Sequence, residues 1–174
     1  PDLSLSGVNR GNNSAENALY SGTLGGAMEG ALQGLRAIAL SQYLGPKTHD
    51  LDNPFEAAAT HGAKVVRQIL DADPKDQTGY RLFYNVNFPP CSAVDVQGTV
   101  ATAQGIRPET SFRVEPHDAP SGRRFLWAMG GNQRIGTAPG TDADMNLKGY
   151  VTVTPMRADL TCHDALERLK DVLK

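Results

Sequence analysis

Cysteine is scarce. Cys91 and Cys162 are the only two in 174 residues, and their wide separation excludes both a disulfide framework and a Cys-x-x-Cys metal site, so a reducing, cytoplasmic setting is the expectation. No stretch approaches the roughly 18 consecutive apolar residues that a membrane crossing needs, and nothing resembles a signal peptide at the start, although the chain opens at Pro1 without Met. A basic run is missing too. With 17 Lys and Arg against 19 Asp and Glu, the formal net charge is -2 and the pI about 6.1. Nothing in that balance attracts a nucleic acid polymer or an anionic membrane, and neither is expected as a partner. What remains, 40% hydrophobic and 21% charged residues, suits one compact soluble domain with a sizeable core.

Glycine, by contrast, is abundant and placed with order. The stretch from Ser6 to Gly34 begins in an apolar strand, Leu3 to Val8, and passes through a loop dense in Asn, Gly and Ser. Leu24, Ala27, Met28, Ala31 and Leu35 then recur at helical spacing, which predicts a helix starting just after Ser21. Its first turn, Ser21-Gly22-Thr23, offers free backbone N–H groups, the arrangement that receives an anion. Gly22, Gly26, Gly30 and Gly34 fall four apart and line one side of that helix, at roughly 1 kcal/mol each relative to Ala. Close packing of a sheet or helix against the groove accounts for such a stripe, with ligand approach expected only at Gly22.

The segments Ser6-Gly7-Val8-Asn9-x-Gly11-x-Asn13, Tyr20-Ser21-Gly22-Thr23 and Ala27-Met28-Glu29-Gly30 together resemble the signature of the SurE family, the survival-protein nucleotidases. Asn85-Val86-Asn87-Phe88-Pro89, Pro139-Gly140-Thr141-Asp142 and Gly149-Tyr150-Val151 are similar to later landmarks of that family. The resemblance implies a metal-dependent phosphatase acting on nucleoside 5'- and 3'-monophosphates, with a divalent cation, Mg or Mn, as cofactor. On its own, Asn9 reads as a turn residue; the resemblance assigns its position to the family's metal-binding asparagine. Ser21, Gly22 and Thr23 are then phosphate-binding, and Asn13 shapes the loop between. SurE-like proteins open with a strand ending in Asn-Asp-Asp-Gly, whose aspartates bind the metal, followed by a serine ligand. None of these stands in this sequence, so the family's catalytic aspartates are absent from the chain. The expectation is that it covers the last two thirds of the family's length and is inactive by itself.

The remaining elements follow from pattern. Leu35 to Leu40 predicts a strand buried on both faces, completing a βαβ unit whose loops meet at the carboxyl ends of parallel strands. Gln42 to Asp52 reads as polar loop. Asn53, Pro54 and Glu56 predict the capped start of a helix with Phe55, Ala58, Ala59, Gly62, Val65, Val66, Ile69 and Leu70 on its buried face, and His61 beside that face reads as a packed or solvated side chain. Tyr80 to Phe88 is a strand whose Asn85 and Asn87 are expected to bond loop backbone. Thr99 to Gln104 is β-like, while Ser111 to Glu115 and Arg123 to Met129 predict a hairpin with Phe112, Phe125, Leu126 and Trp127. Those aromatics suit either a monomer core or a subunit contact.

Asp142 reads as a turn or cap residue, with a place in the site as the alternative. Lys148 to Pro155 is a further alternating strand. The last helix is expected to be capped at Thr161, with Leu166, Leu169, Val172 and Leu173 pointing inward. Asp159 and His163, four apart, form a structural pair that fixes this arm.

The fold expected is α/β, a SurE-like Rossmann-type three-layer core with a mostly parallel sheet, plus an extended β-hairpin and a C-terminal helix. Residues 1–104 form part of the nucleotidase core and 105–174 the arm of the same domain. The resemblance implies a homodimer or homotetramer, with exchange of the C-terminal element. A covalent Ser21 mechanism is weaker, since His49, His61, His117 and His163 show no linking motif. A non-catalytic nucleotide-binding or assembly module is the alternative from another class.

Overall fold

The computed structural model describes residues 1–74, 79–107 and 113–173. Three strands, β1 (Leu3–Arg10), β2 (Arg36–Gln42) and β3 (Phe83–Phe88), run parallel side by side. Two more complete the sheet: β7 (Tyr150–Met156) lies antiparallel against β3, and β4 (Gly98–Ala101) runs parallel to β7, giving the order β1-β2-β3-β7-β4. Between β4 and β7 the chain makes a separate hairpin, β5 (Arg113–Asp118) and β6 (Arg124–Met129), and a short helix α4 (Asp142–Leu147). The sheet is therefore mostly parallel, with β7 drawn from the far end of the chain in between β3 and β4.

Alternation along β2 decides which helix covers which face. Ala37 and Ala39 pack with Leu24, Ala27 and Ala31 of α1 (Gly22–Leu32), while Ile38 and Leu40 pack with Ala57, Ala58, Val65 and Ile69 of α3 (Glu56–Ala72), which follows a one-turn helix α2 (Pro46–His49) in the stretch expected as loop. Small side chains on the α1 face let that helix come close. At Gly30 an added Cβ would stand 2.7 Å from Ser4 Cβ and 3.4 Å from Ala37 Cβ, and at Gly26 it would stand 2.9 Å from Ser6 Oγ. Gly26 and Gly30 of the stripe are thus the seat of β1 against α1, while an added Cβ at Gly22 or Gly34 meets nothing within 4 Å. Gly34, at φ +82°, lies past the helix end, where a left-handed residue terminates the last turn.

Three expected helix features differ in the structure. Asn53 does not cap α3: its Oδ1 accepts the Phe55 N–H at 3.0 Å in a turn ahead of the helix, and Ala59 is exposed. The first-turn amide of Ala58 is satisfied instead by Gln42 Oε1 at 3.1 Å, and Gln42, read as loop, is the fully buried last residue of β2. A tertiary partner has displaced the local cap. The third feature is α5 (His163–Val172), preceded by Cys162 at the cap position rather than Thr161. None of its residues is buried, and Leu166, Leu169, Val172 and Leu173 stand open to solvent rather than pointing inward. The hairpin is equally exposed: Phe125, Leu126 and Trp127 contribute nothing to the core of this chain, while Ser111 and Phe112 lie outside the described residues.

The stripe makes a paired prediction. An added Cβ at Gly25 meets nothing within 4 Å, so Gly25→Ala is expected to raise stability by about 0.5–1 kcal/mol through helix propensity. Gly30→Ala, pressed against the Cβ and Oγ of Ser4, is expected to lower it by about 1–3 kcal/mol. Urea unfolding midpoints of the two variants check the opposite signs.

Candidate functional site at the carboxyl ends of the parallel strands

The site begins with an extra residue in β1. Ser4 and Ser6 pair with Ala37 and Ala39, but the next partners are Asn9 and Ser41, so three residues of β1 span two of β2. Without that bulge, Asn9 would share a face with Leu3 and Leu5. With it, Asn9 turns onto the α1 face, in one row with Ser41 of β2 and Asn87 of β3. Gly7 makes the irregularity possible: it sits at φ +124°, and a Cβ there would lie 2.2 Å from the Leu40 carbonyl oxygen. The Asn9 amide is oriented by its Nδ2, which donates to Gly11 O at 3.1 Å, and Oδ1 is left as a hard oxygen acceptor.

A loop lies over this row and is fastened from several directions. Asn87 Oδ1 accepts the Asn13 N–H at 2.7 Å, Asn85 Nδ2 donates to Asn13 O at 2.9 Å, and Asn13 Nδ2 donates to Ser41 Oγ at 2.7 Å. Asn85 and Asn87 therefore bond loop backbone, as their place on the strand suggests. Ser14 is gripped by the buried Arg107, whose Nη2 reaches Ser14 Oγ at 2.7 Å and Nη1 reaches Ser14 O at 3.1 Å. Burial lowers the Arg107 pKa and the Glu16 carboxylate opposes that shift; Glu16 also accepts the Arg107 backbone N–H. Fully buried Asp142 takes Ala15 N–H on Oδ2 at 3.0 Å, and Gly105 N–H at 2.8 Å and Ala143 N–H at 2.7 Å on Oδ1. Ala15 has φ +52°, a conformation such a clamp sustains. Asn17 Nδ2 bonds Asn12 Oδ1 at 3.0 Å and Gln133 Oε1 at 2.5 Å.

The 3-10 turn Ala15–Tyr20 delivers the chain to α1. Ser21 caps that helix through its Oγ, which accepts Leu24 N–H at 3.1 Å, and among the described residues the N–H groups of Gly22 and Thr23 remain as the orphan donors of the first turn. Gly22 is exposed and an added Cβ there meets nothing within 4 Å. The approaches of Gly30 to Ser4 and Gly26 to Ser6 run in opposite chain directions. Helix α1 is therefore antiparallel to β1, and its open N-terminus stands at the carboxyl end of the strand, the end and the face that carry Asn9.

Other sequence-predicted residues fall elsewhere. His61 Nε2 lies 2.9 Å from Ala93 O, a packed side chain. His163 Nε2 lies 2.9 Å from Asp159 Oδ2 on the exposed start of α5. Among the described residues, no group of three or more His, Cys, Asp or Glu side chains is placed to hold a metal ion. Arg107, Gln42, Asn17 and Gln133 carry no local pattern that marks them; only their partners, distant in the chain, do.

Parallel strands flanked by helices on both faces define an α/β protein, and its helix N-terminus and amide-lined loop stand at the strands' carboxyl ends, the place where open α/β sheets bind ligands. The model of the family "Survival protein SurE" matches residues 1–111, and the chain belongs to that family. The 5'-nucleotidase SurE of Ruegeria pomeroyi is 66% identical over 173 residues, 99% of this chain and 66% of the relative. That of Cereibacter sphaeroides is 64% identical over the same length and the same shares. The crystal structure of the SurE protein from Aquifex aeolicus matches with a TM-score of 0.74 at 32% identity, covering 100% of this chain and 66% of that one. The chain thus spans about 66% of the length of the curated relatives it matches. No helix among the described residues is long and apolar enough to cross a membrane.

Two predictions test the scaffold. Asp142→Asn turns one acceptor oxygen into a donor facing N–H groups, so it is expected to cost about 1–3 kcal/mol and to raise hydrogen exchange at the Ala15 amide; unchanged exchange there would contradict the clamp. The Thr161 hydroxyl and amide, and then His163, hold the Asp159 carboxyl down at about 2. Because the folded value lies below the ordinary one near 3.9, the stabilisation is present above about pH 4 and is lost as pH falls through about 2. Thr161 amide protection, followed by NMR, is expected to stay level from pH 8 to 4 as far as Asp159 governs it and to fall below.

Proposed function

We propose that this chain forms part of a metal-dependent phosphatase that hydrolyses nucleoside 5'-monophosphates, and 3'-monophosphates, to nucleoside and inorganic phosphate. One observation carries the reading: the Asn9 amide oxygen and the open tip of α1 share one end and one face of the sheet. An Asn carbonyl is a hard oxygen donor of the kind Mg²⁺ or Mn²⁺ takes, and the hydrogen bond from Asn9 Nδ2 to Gly11 O presents it ready-oriented. Asn9 would hold the cation, together with carboxylates that this chain does not place there. Once bound, the cation supplies neutralisation of charge on the phosphoryl oxygens.

The chain's own groups do the rest of what can be assigned to it. Gly22 and Thr23 N–H and the Ser21 hydroxyl donate to non-bridging phosphate oxygens, and the helix N-terminus favours their negative charge. Asn13, locked by Asn85, Asn87 and Ser41, fixes the loop between metal ligand and helix tip so that both stay in place as the P–O bond to the nucleoside breaks and a water oxygen bonds to phosphorus. We place the enzyme in the cytoplasm. Residues 1–104 belong to the core, and the arm within 105–174, the hairpin and α5, joins homodimers or homotetramers, with Asp159 and His163 fixing its geometry. The exposed Leu126, Trp127, Leu169 and Leu173 support that assembly.

Phosphate release from adenosine and guanosine monophosphates with Mg²⁺ or Mn²⁺ tests the reading in the full-length protein. Asn9→Ala is expected to lower metal-dependent turnover about 100-fold at unchanged oligomeric state, and turnover equal to the parent's would remove Asn9 from the site. The 174-residue chain alone is expected to release no phosphate, because among the described residues no group of acidic side chains gathers to hold a dication in water.

A further inference from the structure

Three consecutive residues of the site loop are gripped from three parts of the chain: Asn13 by β3, Ser14 by Arg107 and Ala15 by Asp142. Arg107 is the costly grip. Its side chain is 2% exposed, and because an arginine keeps its charge inside a protein, burying one is unfavourable unless that charge is paired. Glu16 supplies the pairing, with Oε2 3.6 Å from Nη1 and the same carboxylate accepting the Arg107 backbone N–H. A neutral amide would bond Ser14 at lower cost, as Asn85 and Asn87 bond Asn13. What the guanidinium adds is a rigid fork: Nη2 donates to Ser14 Oγ at 2.7 Å and Nη1 to Ser14 O at 3.1 Å, which fixes the orientation of the residue as well as its distance.

Ser14 is where the chain leaves the amide-locked loop for the helix tip. Its carbonyl also accepts the Asn17 N–H at 3.3 Å, the bond that opens the 3-10 turn, so Arg107 holds that turn by its first acceptor. Gln104, three residues before Arg107, donates to the next carbonyl, Ala15 O, at 3.0 Å. At its other end the turn closes on the cap of α1: Ser21 N–H donates to Ala18 O at 3.4 Å, Ala18 packs in the buried cluster with Leu24 and Ala27, and Ser21 O accepts Gly25 N–H at 2.9 Å. In the opposite direction a shift is stopped. Asn13 is held to β3 through both its N–H and its carbonyl, and Gly11, which orients Asn9, donates its own N–H to Gln42 O at 2.9 Å. Movement at Ser14 therefore reaches Ser21, Gly22 and Thr23 and leaves Asn9 in place.

Resting on the nucleotidase reading, we propose that Arg107 is a positioning residue for the reaction: it holds Ser14 and, through the 3-10 turn, sets where Ser21, Gly22 and Thr23 meet the phosphate, without acting on the cation at Asn9. It touches no reacting atom. Its effect is confined to the phosphate end of the site.

The test uses the full-length protein and Arg107→Lys, which keeps a charge beside Glu16 but has no fork to span Ser14 O and Oγ. Inorganic phosphate, titrated by calorimetry in the presence of Mg²⁺, is expected to bind the variant about 10- to 100-fold more weakly than the parent. KM for adenosine monophosphate is expected to rise by a similar factor, while the Mg²⁺ concentration that gives half-maximal turnover stays at the parent's value. Ser14→Ala, which removes Oγ and leaves the guanidinium its carbonyl, is expected to shift the phosphate constants in the same direction by a smaller factor. Phosphate that binds Arg107→Lys as tightly as the parent overturns the proposal, and so does a metal requirement that worsens by the same factor as phosphate binding. Parent-like phosphate constants in Ser14→Ala overturn the route through Ser14. Phosphate release from adenosine monophosphate by the parent separates the two readings: release with phosphate binding indifferent to Arg107 removes the positioning role alone, and Arg107-dependent phosphate binding without release removes the catalytic reading alone. A parent that neither binds nor releases phosphate ends both.

Discussion

One loop residue holds the site together. The N–H of Asn13 is taken by Asn87 Oδ1 and its carbonyl by Asn85 Nδ2, so two amides from alternate positions of β3 grip both hydrogen-bonding groups of a single loop residue. In effect the side chains of a strand do for the loop what a neighbouring strand's backbone would do, and they do it where solvent is excluded. A buried amide without its partner costs about 1–3 kcal/mol, which makes this arrangement all-or-none: both bonds are made, or the loop cannot sit there. Ser41, the buried neighbour in the same row, closes the third side.

The row exists because β1 carries an extra residue. A bulge that moves one side chain to the opposite face changes what the strand end presents without changing where the strand lies. Leu3 and Leu5 belong to one face, Ser4 and Ser6 to the α1 face, and Asn9 joins the serines only through that shift. The same face must admit α1 at close range, and that requirement accounts for both Gly26 and Gly30 on the helix and the short side chains opposite them. Packing and site geometry are thus one constraint, because the glycine seat that brings α1 against β1 also brings its N-terminus to Asn9.

Much of this was legible in the residues. The start of α1 after Ser21, the packing role of Gly26 and Gly30 in its glycine stripe, the two-faced burial of β2 and the scaffold role of Asn85 and Asn87 all rest on local periodicity or local chemistry, and local chemistry survives folding. What could not be read depends on partners far along the chain. Ala58 is capped by Gln42, 16 residues earlier, and Ser14 is gripped by Arg107, 93 residues later. No spacing rule anticipates such pairs. Helix α5 shows the complementary limit: its leucines do recur at helical spacing, yet periodicity marks an apolar face without naming what covers it, and among the described residues nothing buries them.

Exposure of the arm and rigidity of the site meet in the loop between β6 and α4. Its Gln133 bonds Asn17, Asn17 bonds Asn12, and Ser14 Oγ donates to the same Asn12 Oδ1 at 3.2 Å. Its far end is anchored at Asp142, whose carboxylate takes the Ala15 amide. The segment that carries the hairpin back to the sheet therefore touches the site loop at both ends of that segment. A hairpin without buried side chains has little of its own to hold it, and these few amide and carboxylate contacts set its direction relative to the core. They bind the most exposed part of the chain to the most constrained part, at the residues that flank Asn13.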